Sequence, residues 1–185
     1  MLRVALAIAA GKERAIYGCV HSIGRAHVLE DPFHERNFVF DPPAIQVRGT
    51  LVAYAVDNHG RAQTFIDAYD LRFDPESGRS PAKGVPQRAG RSFGYVKVGS
   101  LSLTKRGSIA WIACPEDPDD GNPVANQRPG CVRPGRRDAV WVLPHDATKK
   151  VLLDRGRSID PRSMTRRGLR FCWRRGGGLR CRRVP

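Results

Sequence analysis

Apolar residues in this chain recur at alternate positions, in short runs closed by glycine, proline or charged pairs. The stretch "SLTKRGSIAW" (Ser102 to Trp111) shows the unit. Alternating residues make one strand, Arg-Gly breaks it, and an apolar run makes the next. Three segments share this design: "RGTLVAYA" from Arg48, "RGSIAWIA" from Arg106 and "RGLRFCW" from Arg167. Each reads Arg-Gly, a short spacer, a β-favouring residue, Ala or Cys, then a large aromatic. The arginines lie 58 and 61 residues apart. Further strand candidates follow each aromatic, over Gln63 to Leu71, Asp138 to Pro144 and Gly178 to Val184, with a fourth, Lys149 to Asp154, in the middle copy. No window keeps helical spacing without a Gly or Pro interrupting it.

The expected fold class is therefore all-β: antiparallel sheet repeats of three or four strands, recurring at about 60 residues. The whole chain, 1–185, reads as one β-repeat domain. A weak N-terminal repeat covers 14–31, and fuller repeats cover about 44–72, 98–156 and 157–185. Two polar loops, 73–94 and 115–137, interrupt the pattern. Insertions of this kind map to one rim of a repeat protein, where loops usually bind things.

The closing stretch, "LRFCWRRGGGLRCRRVP", reads as a hairpin with two competing registers. A two-residue turn at Gly176-Gly177 sets Cys172 opposite Cys181 as a non-hydrogen-bonded pair, with Cα atoms ~4.5 Å apart. It also sets Phe171 opposite Arg182 and Trp173 opposite Arg180. A three-residue turn, Gly176 to Gly178, gathers Leu169, Phe171, Trp173, Leu179 and Cys181 on one face and leaves arginines on the other. Register follows the buried face, which favours the three-residue turn; the two cysteines would then lie on opposite faces.

The pattern "SLTKRGSIAW … AVWVLPHDATKKVLLDRG" resembles the blades of TolB-type and related bacterial β-propellers, in which an aromatic follows a small residue in the second strand of a four-stranded unit. The resemblance covers roughly Ala44 to Val184 and lies in blade rhythm. The Gly-His…Trp-Asp signature of WD-type blades is absent, and the unit is longer than their ~40–45 residues. Propellers need ~4–8 blades. Three copies, or four with the weak one, imply an incomplete propeller: a fragment, an open stack, or a ring completed by another chain. The resemblance implies a scaffold for binding and supplies no reaction.

Composition adds charge to this picture. The formal charge is +14 and the pI about 10.5, with 26 arginines and six lysines. Such a chain attracts polyanions without sequence preference. A codon-driven excess of arginine on a solvated surface accounts for the same numbers. From Arg155 to Arg183 there are eleven arginines and one acid, Asp160. Arg170, Arg174, Arg175, Arg180 and Arg182 are the candidate anion- or nucleic-acid-binding residues, set against the alternative that they only block edge-to-edge pairing. No run approaches ~18 apolar residues, so no membrane-spanning helix is predicted.

The start, "MLRVALAIAAGKERA", resembles the end of a secretory signal with Ala7-Ile8-Ala9 as its cleavage site. It is shorter than the ~15–30 residues of a full signal, and a first β-strand is the competing reading. Cys114 and Cys131 flank one polar loop, and Cys172 and Cys181 flank one turn, leaving Cys19 over. Two local disulfides would suit an exported protein; five free thiols are the alternative. The five histidines sit at no metal spacing, and "EDPDDGN" (Glu116 to Asn122) misses the calcium-loop pattern because Gly121 falls one place early. No nucleophile elbow, P-loop or dinucleotide fingerprint is present, so no catalytic residue, metal or cofactor is assigned.

The leading expectation is a non-enzymatic binding or structural protein, secreted or envelope-associated, with a macromolecular partner whose identity the sequence does not give. A nucleic-acid-binding protein using the C-terminal arginines is the alternative, and the cytoplasm is the alternative location. A hydrolase or lyase with its site in a blade channel is a third reading.

Overall fold

A computed structural model describes residues 2–9, 13–20, 25–30, 38–58, 63–72, 85–87, 96–115, 138–145 and 147–184. The described residues form strands and turns, with no helix among them. A first sheet holds β1 (Leu2–Ala9), β2 (Glu13–Val20) and β3 (Arg25–Glu30). A second holds β4 (Phe38–Arg48), β5 (Leu51–Asn58), β6 (Gln63–Asp70) and β7 (Val85–Gln87). A third holds β8 (Val96–Leu103), β9 (Ile109–Pro115), β10 (Asp138–Leu143) and β11 (Val151–Gly156), and a fourth β12 (Thr165–Arg167), β13 (Arg170–Arg175) and β14 (Gly178–Arg183). Each is an antiparallel meander of consecutive strands, and the four sheets do not close on one another.

One competing reading is met and one expectation changes. The apolar run behind Met1 is strand β1, paired along its length with β2. The polar stretch 73–94 is not all loop, because Val85–Gln87 adds β7 to the edge of β6. The rest of that stretch, and 116–137, lie outside the described residues.

The repeated Arg-Gly marks the first hairpin of three sheets. Gly49, Gly107 and Gly168 all take positive φ (65°, 92° and 58°), a conformation that glycine adopts without a steric penalty. In the second and fourth sheets the turn has two residues, with Arg48 opposite Leu51 and Arg167 opposite Arg170. In the third sheet, Thr104 to Ser108 form a longer loop between Leu103 and Ile109. The Thr104 N–H donates to the Ser108 carbonyl (2.9 Å) and the Ser108 N–H to Thr104 Oγ1 (2.9 Å). Ser108 Oγ then accepts the His145 N–H (3.1 Å), which ties this loop to the next turn of the same sheet.

The second, third and fourth sheets stack face to face in chain order. One face of the third sheet, carrying Val98, Leu101, Leu103, Ile109, Trp111, Ala113 and Leu143, packs against Ala53, Ala55 and Ile66 of the second. Its other face, carrying Ala110, Ile112, Val140 and Val142, packs against Phe171 and Trp173 of the fourth, with Ile159 and Met164 between them. The nearest approaches between sheets are made by first strands: β1 lies near β4, β4 beside β8, and β8 beside β12.

The three aromatics of the repeat sit in the second strands and are fully buried: Tyr54 in β5, Trp111 in β9 and Trp173 in β13. Trp111 faces the second sheet and Trp173 faces the third. Tyr54 falls between Ala53 and Ala55, which face the third sheet, so it turns to the opposite side. Tyr54 and Trp111 thus point away from the sheet that follows each of them.

The first strand of the fourth sheet is split. Ile159 bridges to Arg175 and the Asp160 N–H donates to the Arg174 carbonyl (3.0 Å), while Thr165–Arg167 pair with Arg170–Cys172. Between these pieces the chain leans onto the bulge of β8. Ser100 Oγ donates to the Pro161 carbonyl (2.6 Å) and accepts the Met164 N–H (3.1 Å). A Cβ on Gly99 would come within 2.5 Å of the Pro161 carbonyl oxygen, so this close approach requires glycine.

The C-terminal hairpin corrects the favoured register. Its turn is Gly176-Gly177, both at positive φ (57° and 79°), as a type I′ turn demands. Cys172 faces Cys181, Phe171 faces Arg182 and Trp173 faces Arg180. The buried-face argument fails because β14 is an edge strand, exposed or half-exposed throughout. Leu179 is 46% exposed and Leu169 is 62% exposed, so neither contributes an apolar face that could select the register.

Truncation of Trp111 or Trp173 to alanine is expected to cost ~3–5 kcal/mol in urea denaturation; a loss at both positions no larger than that of a surface substitution would contradict the stacking. Gly99→Ala should cost ~1–3 kcal/mol, because Pro161 must move; the same denaturation midpoint measures it.

Candidate functional site

Charge in the fourth sheet is sorted along the strands. At the end near the Gly176-Gly177 turn, cations meet one acid, Asp154 of β11. Its side chain is 9% exposed. Asp154 Oδ2 accepts the indole N–H of Trp173 (2.9 Å), and Oδ1 accepts Arg175 Nη1 (2.5 Å) and the Arg155 N–H (2.9 Å). Arg180 Nη1 lies 3.8 Å from Oδ2. Asp154 faces the fourth sheet because it pairs with Val140, whose side chain packs there. The Arg175 guanidinium lies against Gly156, where a Cβ would meet Nη2 at 2.5 Å. This group is a structural clamp across the seam. The indole N–H of Trp111, by contrast, is buried with no hydrogen-bond partner among the described residues.

The five arginines picked out in the sequence do not share one face. Cross-strand partners point to the same side of a sheet. Arg175, Arg180 and Arg182 lie on the side of Phe171 and Trp173, toward the third sheet, and two of them are engaged by Asp154. Arg170 and Arg174 lie on the opposite, outer side with Leu179 and the cysteine pair. On either turn one arginine-coated outer face is expected; in the observed register the five arginines divide between the two sides.

The other end of the sheet, at the Gly168-Leu169 turn, holds a denser cluster. Arg167, Arg170 and Arg183 form one rung across three strands on the outer side. Arg166, Phe171 and Arg182 form the next rung on the inner side. No acid lies in either rung, and these arginines form no ion pair among the described residues. Arg166 Nη1 instead donates to the Gly168 carbonyl (2.6 Å), holding the turn. Arg166, Arg167 and Arg183 were not among the five. The sequence signal reaches Arg167 alone, as the arginine of the recurring Arg-Gly; Arg166 and Arg183 join it only through the strand pairing.

Arg175 meets Asp154 and Gly156 at the end of β11 that the ladder registers place level with the start of β8, while Met164 bonds Ser100, so the Gly168-Leu169 end of β13 lies toward the end of β8. The Gly168-Leu169 turn therefore lies on the same rim as the 104–108 loop, with its exposed Lys105 and Arg106. On the neighbouring turn of that rim, Lys150 Nζ sits 4.7 Å above the half-buried Trp141 ring, and partial burial pushes its ammonium pKa down. In the second sheet, burial alone would raise the Asp70 carboxyl, but hydrogen bonds from Arg72 and Thr50 outweigh it and hold the pKa below the usual value.

Cys172 and Cys181 form a disulfide across β13 and β14, with Cα atoms 4.1 Å apart. Cys114 is also disulfide-bonded. Cys131 and the side chain of Cys19 lie outside the described residues, as does the acidic cluster Glu116 to Asn122. Among the described residues no three His, Cys, Asp or Glu side chains converge as metal ligands. No helix of the described residues is long and apolar enough to cross a membrane.

Asp154→Ala is expected to lower stability by ~2–3 kcal/mol, because it strands a buried indole N–H and unpairs Arg175. Asp154→Asn should cost less, since its carbonyl still accepts the Trp173 proton. Equal losses for the two variants in thermal or chemical denaturation would mean the clamp does not depend on that bond.

Compared with known proteins, the chain matches no protein-family model, no curated protein and no solved structure.

Proposed function

We propose that the chain is a non-enzymatic binding protein, built of propeller-like blades and working outside the cytoplasm. The observation that carries the reading is the succession of sheets. Among the described residues, first strands abut, the second strands of three sheets each carry one buried aromatic, and Tyr54 and Trp111 point away from the following sheet. Blades arranged about a common axis would have this relation. Four sheets is also the smallest number from which propellers are built. With both end sheets open, a ring would need further blades or another chain.

The compartment is inferred from the cysteines. A disulfide at Cys172 and Cys181, and another at Cys114, suits an oxidising environment. The hairpin bridge closes a short loop, nine residues in separation, and should contribute ~2–3 kcal/mol on the chain-entropy model. A nucleic-acid-binding reading draws on the same arginines, and it would require tight, sequence-selective binding that is lost with them.

The test is thiol trapping in cells that make the protein. Alkylation before lysis, followed by mass mapping of the peptides carrying Cys172 and Cys181, should find both protected until reduction. Full labelling of both at the first step would remove the case for export.

A further inference from the structure

We infer that the rim at the Gly168-Leu169 turn docks on an anionic lipid bilayer, with Leu169 as the inserted residue and the surrounding arginines as the phosphate contacts. The inference rests on the reading above for its compartment alone. Its geometry comes from one hairpin and does not need a closed ring.

Leu169 is 62% exposed, the most exposed large hydrophobic among the described residues, and it stands at the tip of a two-residue turn. Arg166, Arg167, Arg170, Arg182 and Arg183 surround it in two successive rungs. Arg170 is the direct cross-strand neighbour of both Arg167 and Arg183, a placement in which like charges repel. Bound phosphates would relieve that repulsion, because each guanidinium presents a planar fork of donors to a phosphate. Lys105 and Arg106 extend the cationic rim from the adjacent loop.

Two anionic partners fit the charge, a bilayer and a nucleic acid, and the apolar groups choose between them. Single-stranded nucleic acid is gripped by stacking its bases on exposed aromatics. Here Phe171 and Trp173 face the core, and Lys150 covers the ring of Trp141. An aliphatic tip within a collar of arginine instead suits a lipid interface, where the side chain enters the acyl boundary and the cations remain among the headgroups.

The experiment is co-sedimentation of the full chain with vesicles of phosphatidylcholine alone or of an equimolar mixture with phosphatidylglycerol. Binding is expected only to the mixture. Each arginine near an anionic surface contributes about fivefold, so Arg167→Ser, Arg170→Ser and Arg183→Ser together should weaken binding on the order of 100-fold. Leu169→Ser should weaken it roughly tenfold. Leu179→Ser, at the other end of the hairpin, should leave it unchanged. Because a variant could fail to fold, Leu169→Trp supplies a second readout: its added indole emission should shift to the blue on the mixed vesicles. Equal binding to both vesicles, no effect of Leu169→Ser beside a normal melting curve, or no spectral shift would each overturn the inference. So would tight binding to duplex DNA through the same arginines without binding to the vesicles. Failure of the export reading would show separately, as alkylated Cys172 and Cys181.

Discussion

Strand β9 is buried on both faces from Ile109 to Cys114, and a strand of that kind must be covered twice. Ile109, Trp111 and Ala113 need the second sheet, while Ala110, Ile112 and Cys114 need the fourth. The rest of the arrangement meets this requirement. The Ser100 hydroxyl and the absent side chain of Gly99 admit the 161–164 segment at one edge of the third sheet. Asp154 holds the hairpin at the other edge. The fourth sheet is thereby fixed at two separated points, so it can neither slide nor rotate over the apolar face beneath it.

Much of this was legible in the chain. The Arg-Gly-to-aromatic repeat located three second strands and their buried aromatics, because burial there depends on alternation and side-chain size, both visible locally. The all-β class followed from the same alternation. The hairpin register was not legible, because alternation groups Leu169 and Leu179 with the core aromatics although neither is covered. Coverage depends on how far the third sheet extends beneath β14, which is a tertiary fact. The backbone preference of two adjacent glycines and the cysteine pair outweighed a hydrophobic face that the edge strand never buries. β7 was missed because three residues containing a proline carry no alternation to read.

The same register decides where the charge goes. A one-residue slip would have put the arginines of β14 on the opposite face from those they now occupy. In the observed pairing, Arg180 reaches an acid on the neighbouring sheet, while Arg183 joins Arg167 and Arg170 in a rung without one. The net charge of the chain therefore says less than its division. One end of the fourth sheet consumes its cations in holding two sheets together, and the other presents them to solvent beside an apolar tip.

The cross-strand disulfide also changes what a cut in this region would do. The Gly176-Gly177 turn is exposed and lies between the two bridged cysteines. A protease that opened it would leave β14 covalently attached through sulfur, its ladder to β13 still in place. The nicked molecule would migrate as one species until a reductant separated the segments on either side of the cut. The edge of the domain is therefore guarded against the loss of its terminal strand by a link that does not depend on an intact main chain.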